Sequence, residues 1–330
     1  MAASPAEIFL VVIAGGSGTR FWPKSTSKRP KQLIAFDDEG TLLGKTFARF
    51  GGILPEKNRM VVTTDALAQA VRADIPGVEV LAEPEGRNTA PCVYWAARAV
   101  AAKNPEAVML VMPADHHIGD PERFRQTVKL AAARAASKDE LVTLGVKPSR
   151  PETGYGYLRV GSDSGDGCRK VDAFVEKPDL EKAKRFLAEG NYLWNGGMFL
   201  WRASTILAAF DRYMPEMKKA WDAAGGDAIR AYPDLTATSI DFGVMEKASN
   251  VVTFSLDCGW DDLGSWTSLE DLGERTGRKT ADGTVIGGEL LAVDGGGHVI
   301  DAPGKLVATL GVEDLIIVES GGAILVARKD

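Results

Sequence analysis

The first apolar run of the chain ends in a cluster of glycines, and this junction limits the possible folds more than any other feature. Residues 8–14 (IFLVVIA) are continuously apolar and rich in β-branched side chains, which is typical of a strand buried on both faces of a parallel sheet. Gly15, Gly16 and Gly18 follow directly. Because glycine lets backbone N–H groups approach an anion closely, the junction predicts a first strand that leads into a phosphate-binding turn.

Short apolar runs and helical patterns alternate through the first half of the chain. The apolar runs cover residues 60–63, 78–81, 108–112 and 141–146, and the helical patterns cover residues 42–50, 66–73, 89–102 and 122–136. This alternation predicts an α/β fold with a doubly wound, mostly parallel, Rossmann-like sheet. Ligands bind such sheets at the carboxyl ends of the strands, so functional residues are expected directly after the apolar runs.

The pattern changes after about residue 280. Helical periodicity ends there, and short β-branched runs alternate with turns rich in Gly and Asp. We therefore predict two domains, a catalytic domain over residues 1–280 and a small all-β domain over residues 281–330. The β-rich segment is consistent with a small β-solenoid, although it shows no regular repeat period.

Composition excludes several classes of protein. Hydrophobic residues make up 45% and charged residues 25% of the chain, which is ordinary for a soluble globular protein. The net charge of −6 argues against a nucleic-acid-binding protein. Three cysteines without a CxxC motif, and only three histidines, argue against a disulfide framework or a zinc site. The run at residues 8–14 is too short to span a membrane and no basic residue precedes it, so a cytoplasmic protein without a membrane partner is expected.

A dense group of cations follows the glycine turn. Its members are Arg20, Lys24, Lys28, Arg29 and Lys31. Grouping cations is unfavourable unless anions neutralise them, so polyphosphate binding is favoured over a solvated basic loop. Phe21 stands where a dinucleotide fingerprint needs its third glycine, and no Gly-Lys-Ser/Thr follows as in a Walker A loop. A NAD-dependent oxidoreductase is therefore the weakest alternative.

The run GGSGTRFWPKSTSKRPKQL resembles the signature of the sugar-1-phosphate nucleotidyltransferases, and its FWP and RPKQ pieces resemble the mannose-1-phosphate guanylyltransferase branch. Further blocks resemble the family in the family's order: EPEGRNTAP at 83–91, PADH at 113–116, ETGYGY at 152–157, FVEKP at 174–178, WNGGMF at 194–199 and WDDLGSW at 260–266. The resemblance implies a nucleotidyltransferase fold with a short tail of the left-handed β-helical or dimerising kind, and a homodimer.

The resemblance also implies a reaction, in which GTP and mannose 1-phosphate give GDP-mannose and pyrophosphate with Mg²⁺ as cofactor. The sugar phosphate attacks the α-phosphorus in line, and it is already mostly ionised at neutral pH because its second pKa is about 6. Positioning, cations and a metal then carry the catalysis. Two alternatives stay open, namely another sugar-1-phosphate nucleotidyltransferase and a non-catalytic regulator that binds sugar nucleotides.

Four residues are implied as catalytic, and two of them as metal ligands. They are Arg20, Lys31, Asp115 and Asp262, of which Asp115 and Asp262 would bind Mg²⁺. Asp261 competes with Asp262 as a ligand, and Asp262 is preferred because it matches the family's Asp-x-Gly spacing. The alternative for either position is a helix N-cap or a turn residue.

Two groups of binding residues are implied as well. The nucleotide-binding group is Gly15, Gly16, Gly18, Thr19, Arg20, Glu83, Arg87, Asn88 and Thr89. The sugar-phosphate-binding group is Gly154, Tyr155, Gly156, Glu176, Lys177, Asn195 and Gly196. The carboxylate in the first group can accept hydrogen bonds from the N1–H and N2–H₂ edge of guanine, which adenine lacks.

Several of these residues also fit structural roles. Asn88 and Thr89 suit a helix cap. The segments 177–178 and 195–197 are ordinary turn sequences. The roles of Lys24 and His116 stay open.

Overall fold

The computed structural model describes residues 6–16, 18–37, 39–275 and 277–329. The strands are β1 (Ile8–Ile13), β2 (Arg59–Thr64), β3 (Glu79–Glu83), β4 (Val108–Pro113), β5 (His117–Ile118), β6 (Leu141–Val146), β7 (Tyr157–Gly165), β8 (Cys168–Val175), β9 (Tyr192–Arg202), β10 (Val251–Leu256), β11 (Trp260–Asp261), β12 (Gly283–Val293), β13 (His298–Leu310), β14 (Leu315–Ser320) and β15 (Ala323–Arg328). The helices are α1 (Leu42–Ala48), α2 (Asp65–Asp74), α3 (Thr89–Lys103), α4 (Pro121–Ser137), α5 (Leu180–Glu189), α6 (Ala203–Tyr213), α7 (Pro215–Ala223), α8 (Ala228–Ala231) and α9 (Ser268–Arg275).

The central sheet has nine strands within the described residues, in the order β3-β2-β1-β4-β9-β6-β10-β8-β7. The predicted α/β class is confirmed, and β1 to β4 pair in parallel as expected. The sheet as a whole is mixed, because β9 lies between β4 and β6 and is antiparallel to both. An apolar run shows that a strand is buried but does not reveal its direction, so the sequence pattern could not predict this insertion.

Helices cover both faces of the sheet. Alternate residues of β1 point to opposite faces, so Leu10 and Val12 lie in one core cluster while Phe9 and Val11 lie in the other. Helices α1, α4 and α5 contribute to the first cluster, and α3, α6 and α7 to the second. Both layers are needed because the sheet's strands are apolar on both sides.

The carboxyl ends of three strands carry residues that the sequence singled out. In the parallel pairing of β1 and β4, Ile13 is opposite Pro113, which brings the glycine turn beside Asp115. Strand β3 ends at Glu83 on the same edge of the sheet. The prediction that functional residues follow the apolar runs is thus consistent with where the strands end.

The predicted all-β tail is confirmed. Strand β13 is parallel to both β12 and β14, and β15 closes the four-stranded sheet as an antiparallel edge. Parallel pairing of consecutive strands is the arrangement of a β-helical coil. Gly283 pairs with His298 and Val299 pairs with Ile316, and the first pairing contains register shifts. Coils of unequal length explain why no repeat period is visible in the sequence. The domain boundary at residue 280 stays a prediction.

A third core cluster joins the tail to the loops at the carboxyl edge of the main sheet. Phe21, which follows the glycine turn, packs edge-on against Phe36 and Trp266, each with its ring centroid 5.0 Å away. Ile286 and Val299 of the tail belong to the same cluster. The tail therefore helps to fix the loop that carries the predicted phosphate-binding residues.

Lys24 forms a partly buried ion pair with this tail, which answers the question that the sequence left open. Its Nζ lies 2.5 Å from Oδ2 of Asp301, a residue that is only 1% exposed. The ammonium group also lies 5.4 Å from the centre of the Phe36 ring. The pair spans the main domain and the tail, so Lys24 has a structural role.

We expect Lys24→Met to lower the free energy of unfolding by about 3–5 kcal/mol, because it leaves the buried carboxyl group of Asp301 without its ion-pair partner. The double variant Lys24→Met/Asp301→Asn should recover much of that loss, since both charges are then absent. Urea unfolding curves measure both effects. Lys28→Met, on the exposed part of the same loop, is the matched control and should be neutral. Equal stability of Lys24→Met and Lys28→Met would show that the ion pair contributes nothing.

Among the described residues, no helix is both long enough and apolar enough to cross a bilayer.

Candidate active site

Three adjoining cavities lie along the carboxyl edge of the sheet. The inner cleft (about 560 Å³) surrounds Glu83 and Thr89, the central chamber (about 340 Å³) surrounds Lys31, and the outer basin (about 500 Å³) surrounds Arg150 and Tyr155. The inner cleft and the central chamber share Gly15, Gly16 and Asp115, whereas the central chamber and the outer basin share Arg20, Asp262 and Gly264. Neighbouring cavities therefore have walls in common along this edge.

Lys31 connects the two predicted metal ligands in the central chamber. Its Nζ lies 2.9 Å from Oδ2 of Asp115 and donates a hydrogen bond to the backbone oxygen of Asp262. The lysine is 8% exposed, so its ammonium group is held in place. Arg20 is exposed and lines the same chamber. The structure thus brings together all four residues that the resemblance implied as catalytic.

Gly18 allows the glycine turn to pack against Lys31. A Cβ atom at Gly18 would lie 2.5 Å from the backbone nitrogen of Lys31, and its φ of +51° is in the left-handed region. Any side chain here would both clash and strain the backbone. One function of this glycine is therefore to position Lys31, in addition to any contact with phosphate.

Asp115 is ionised and His116 is neutral. Burial alone would raise the pKa of Asp115, but the nearby Lys31 ammonium reverses the effect and the pKa lies below its ordinary value. Burial lowers the pKa of His116 to about 4. Its Nδ1 accepts a hydrogen bond from Nε1 of Trp260 at 3.1 Å, so Nδ1 is not available to a metal. His116 therefore supports the chamber wall beside Asp115.

The two adjacent aspartates at 261 and 262 have different environments. Oδ1 of Asp262 accepts a hydrogen bond from the Tyr155 hydroxyl at 2.6 Å, and Asp262 lines the central chamber. Asp261 is 7% exposed, and its Oδ1 accepts a hydrogen bond from the backbone nitrogen of Leu263 at 2.7 Å. The geometry favours Asp262 as the ligand and gives Asp261 the turn-stabilising role.

The donor set in the chamber fits a hard cation. Asp115 and Asp262 supply carboxylate oxygens, and Mg²⁺ typically takes one or two carboxylates together with phosphate oxygens and water. Within the described residues, no group of three or more His, Cys, Asp or Glu side chains is placed to hold a metal ion by itself. The arrangement therefore suits an ion that arrives with a phosphate ligand better than a structural zinc ion.

Most of the predicted nucleotide-binding residues line the inner cleft, whereas Gly18, Thr19 and Arg20 line the central chamber. Asn88 caps α3, because its side chain accepts a hydrogen bond from the backbone nitrogen of Thr89 at 2.8 Å. The capping role and a place in the cleft are therefore compatible. Arg87 donates to the backbone oxygen of Leu235 at 2.9 Å and pairs with Glu85. Gly15 and Gly16 line the cleft and the chamber, and Thr19 lines the chamber.

Glu83 is 2% exposed at the end of β3. Its Oε1 accepts hydrogen bonds from Sγ of Cys92 at 3.0 Å and from the Tyr232 hydroxyl. Burial raises the pKa of this carboxyl group, and the two donors oppose that rise. The sequence did not single out Tyr232, which lies 149 positions away in a 3₁₀ turn, Tyr232–Asp234.

The predicted sugar-side residues divide into two sets. Gly154, Tyr155 and Lys177 line the outer basin, together with Arg150, which lies 5.4 Å from the centre of the Trp194 ring. The sequence did not single out Arg150 either, because its motif begins two residues later.

Glu176, Asn195 and Gly156 form a polar cluster beside the basin. A Cβ atom at Gly156 would lie 2.5 Å from Oε2 of Glu176, so this glycine permits the carboxylate to approach. Gly196 lies within β9 against the backbone oxygen of Leu144, 2.8 Å from where its Cβ would be. The alternative of a turn at 195–197 is therefore wrong, because all three residues lie in β9. Gly196 allows close packing in the sheet, and Gly197 has a φ of +63° in the left-handed region.

Asp241 is a site residue that the sequence did not predict. Its Oδ1 accepts a hydrogen bond from Nδ2 of Asn195 at 2.9 Å, and it lines the inner cleft. Burial, followed by the charge of Glu176, raises its pKa to about 7. It begins a π-helical turn, Asp241–Met245, a structure that often occurs at functional sites.

We expect Asp241→Asn to raise the Tm by roughly 5 °C at pH 8. The folded protein holds this proton up to about pH 7, whereas the unfolded chain loses it near pH 4, so the wild type loses stability as the pH rises between these values. The gain should shrink as the pH is lowered toward 4. Thermal melts from pH 4 to 8 measure it, with the exposed Asp222→Asn as control. A gain in Tm that does not depend on pH would contradict a raised pKa for Asp241 in the folded protein.

The sequence matches two family profiles. The profile described as nucleotidyl transferase matches residues 10–278. The profile described as MannoseP isomerase/GMP-like beta-helix domain matches residues 288–330, the region of the parallel tail strands.

Several characterised proteins are similar to this chain over nearly its whole length. Xanthan biosynthesis protein XanB of Xanthomonas campestris pv. campestris is 37% identical over 339 residues, which cover 98% of this chain and 71% of XanB. The mannose-1-phosphate guanylyltransferase of Escherichia coli K12 is 37% identical over 349 residues, which cover 98% of this chain and 71% of that enzyme. A solved structure from Thermus thermophilus, named mannose-1-phosphate geranyltransferase, superposes with a TM-score of 0.89 at 35% identity and covers 98% of this chain and 95% of the other.

Proposed function

The chain belongs to the nucleotidyl transferase family, and from that premise we propose that it transfers the guanylyl group of GTP to mannose 1-phosphate. Enzymes of this family use a nucleoside triphosphate and a sugar phosphate. The E. coli relative, named for this reaction, supports the choice of substrates. The observation that carries the proposal is the central chamber, where Lys31 joins Asp115 to the Asp262 loop between two larger cavities.

The reaction makes one bond and breaks one. An oxygen of the sugar phosphate bonds to the α-phosphorus of GTP, and the bond from that phosphorus to the α–β bridging oxygen breaks, so pyrophosphate leaves. The attacking phosphate is mostly ionised at neutral pH, so a general base is not required. A neutral His116 is compatible with this scheme. The inner cleft would hold the nucleotide and the outer basin the sugar phosphate, so that their reacting groups meet in the chamber.

The chain's cations counter the repulsion between the two anionic substrates. Lys31 is fixed by two partners, so little reorganisation is needed when charge develops on the transferring group. Arg20 is exposed between the chamber and the basin, where it can contact phosphates from either side. Lys177 borders the basin, where the sugar phosphate would enter.

Enzymes of this family generally use a divalent metal ion, and we propose Mg²⁺ here. Asp115 and Asp262 are the side chains that would hold it. When bound, the ion neutralises phosphate charge and orients the phosphates.

A homodimer in the cytoplasm is also part of the proposal. The tail exposes large apolar side chains on its surface strands, which supports a protein contact there. They are Leu291, Leu306, Leu310, Ile324 and Val326. Cys92, Cys168 and Cys258 are buried and unpaired, in keeping with a reducing compartment. A single monomeric species in analytical ultracentrifugation at micromolar concentration would refute the dimer.

Pyrophosphate release from the purified protein tests the function. GTP, ATP, UTP and dTTP are each combined with mannose, glucose and galactose 1-phosphate in the presence of Mg²⁺. Release dominated by GTP with mannose 1-phosphate, and abolished by EDTA, is expected. Release with a different pair would show that this pair, and not GTP with mannose 1-phosphate, contains the substrates. No release with any pair would favour a regulator that binds sugar nucleotides.

A further inference from the structure

Among the described residues, both side-chain hydrogen bonds to the Glu83 carboxylate end on the same oxygen. Cys92 and Tyr232 each donate to Oε1. Cys92 lies on α3, whereas Tyr232 is fully buried in the turn at 232–234. Two donors from different elements fix the rotation of the carboxylate. Among the described residues neither side-chain donor occupies Oε2, and Glu83 lines the inner cleft.

The turn that carries Tyr232 also holds a second residue of the cleft. Nη1 of Arg87 donates to the backbone oxygen of Leu235 at 2.9 Å, directly after this turn. Trp95 of α3 packs against the Tyr232 ring, with the centroids 5.7 Å apart. One segment, anchored by the buried Tyr232 and Leu235, thus positions a carboxylate and a guanidinium group on the wall where the nucleotide is proposed to bind.

We propose that Tyr232 is a positioning residue for the selection of guanine over adenine. This rests on the proposed function. Guanine presents N1–H and N2–H₂ donors on its Watson–Crick edge, whereas adenine presents an acceptor at N1 and no donor at C2. A carboxylate oxygen pointing into the cleft accepts from guanine and faces an acceptor in adenine. Tyr232 matters because it keeps Oε2, rather than the bound Oε1, directed at the base.

The test compares Tyr232→Phe with the wild type, using kcat/KM for GTP and for ATP at saturating mannose 1-phosphate. Removing the hydroxyl keeps the buried ring but frees the Glu83 carboxylate to rotate. We expect kcat/KM for GTP to fall roughly tenfold, mainly through KM, while the value for ATP stays within about twofold. The ratio of the two constants is the readout, because general damage to the fold lowers both equally.

Tyr94→Phe is the matched control. Tyr94 is equally buried, lies on α3 in the same core cluster, and its hydroxyl donates to no carboxylate among the described residues. Its GTP/ATP ratio should equal that of the wild type. Cys92→Ala removes the other donor to Oε1 and should lower the GTP/ATP ratio of kcat/KM by a smaller factor. This second variant keeps the proposal testable if Tyr232→Phe folds poorly.

An unchanged ratio in both Tyr232→Phe and Cys92→Ala would overturn the proposal, as would an equal loss with GTP and ATP. These outcomes differ from failure of the proposed function, in which the wild type itself releases no pyrophosphate from GTP and mannose 1-phosphate. Glu83→Gln completes the series. It should lower the ratio at least as much as Tyr232→Phe, since the amide offers the base a weaker acceptor or a donor.

Discussion

Asp262→Asn is expected to lower kcat about a thousandfold or more while the protein stays folded. The substitution removes one of the two carboxylates that border the central chamber, and metal-held charge on the transferring phosphate is worth several kcal/mol. The fold should persist, because the asparagine oxygen can still accept the hydrogen bond from Tyr155. Asp115→Asn should cause a similar loss. Steady-state pyrophosphate release across a Mg²⁺ titration measures both.

Asp261→Asn is the informative comparison for this prediction. Asp261 is buried and its carboxylate accepts from the backbone of Leu263, a bond that an asparagine can keep. We expect its kcat to stay within about threefold of the wild type. If Asp261→Asn is the variant that loses Mg²⁺-dependent turnover, the two residues must exchange roles. Normal turnover in Asp262→Asn and Asp115→Asn at saturating Mg²⁺ would end the metal assignment.

Lys31→Met should lower kcat by two to three orders of magnitude, roughly the effect of removing a preorganised charge from a transition state. The ammonium group contacts both Asp115 and the backbone oxygen of Asp262, so its loss removes a cation and loosens the loop that carries Asp262. Lys31→Arg should restore little, because the site holds a compact ammonium group that is almost fully buried.

Two measurements separate the electrostatic from the structural effect of Lys31→Met. Lys28→Met, which changes an exposed cation of the same loop, should leave kcat and KM unaltered. The Tm of Lys31→Met should fall by only a few degrees. A large loss of kcat in Lys28→Met would show that the net charge of the loop matters. Full activity in Lys31→Met would show that the contact with Asp115 does not contribute to catalysis.

The sequence predicted those parts of the fold that depend on local pattern. Residues 8–14 and the glycines after them identified β1 and its turn, and the change of pattern near residue 280 identified the all-β tail. The antiparallel insertion of β9 was not predictable, because a strand buried on both faces has the same apolar pattern in either direction.

The candidate site was predictable where a motif follows a strand, as for Asp115 after β4. It was not predictable where the contact depends on tertiary packing. Tyr232 reaches Glu83 across 149 positions, and Asp241 reaches Asn195 from a helical region without a distinctive motif. The pair Gly196–Gly197 favoured a turn by composition, but sheet packing overrode that local preference.

The ion pair between Lys24 and Asp301 joins residues 277 positions apart. The ribosome makes the chain from the N-terminus, so the glycine turn is among the first residues made. The tail strands that pack against the loop after this turn are made much later. Contacts of such sequence separation form slowly, since a long loop must close first. Recovery of nucleotide binding during refolding should therefore lag behind recovery of secondary structure, which makes GTP binding a reporter of the last step of folding.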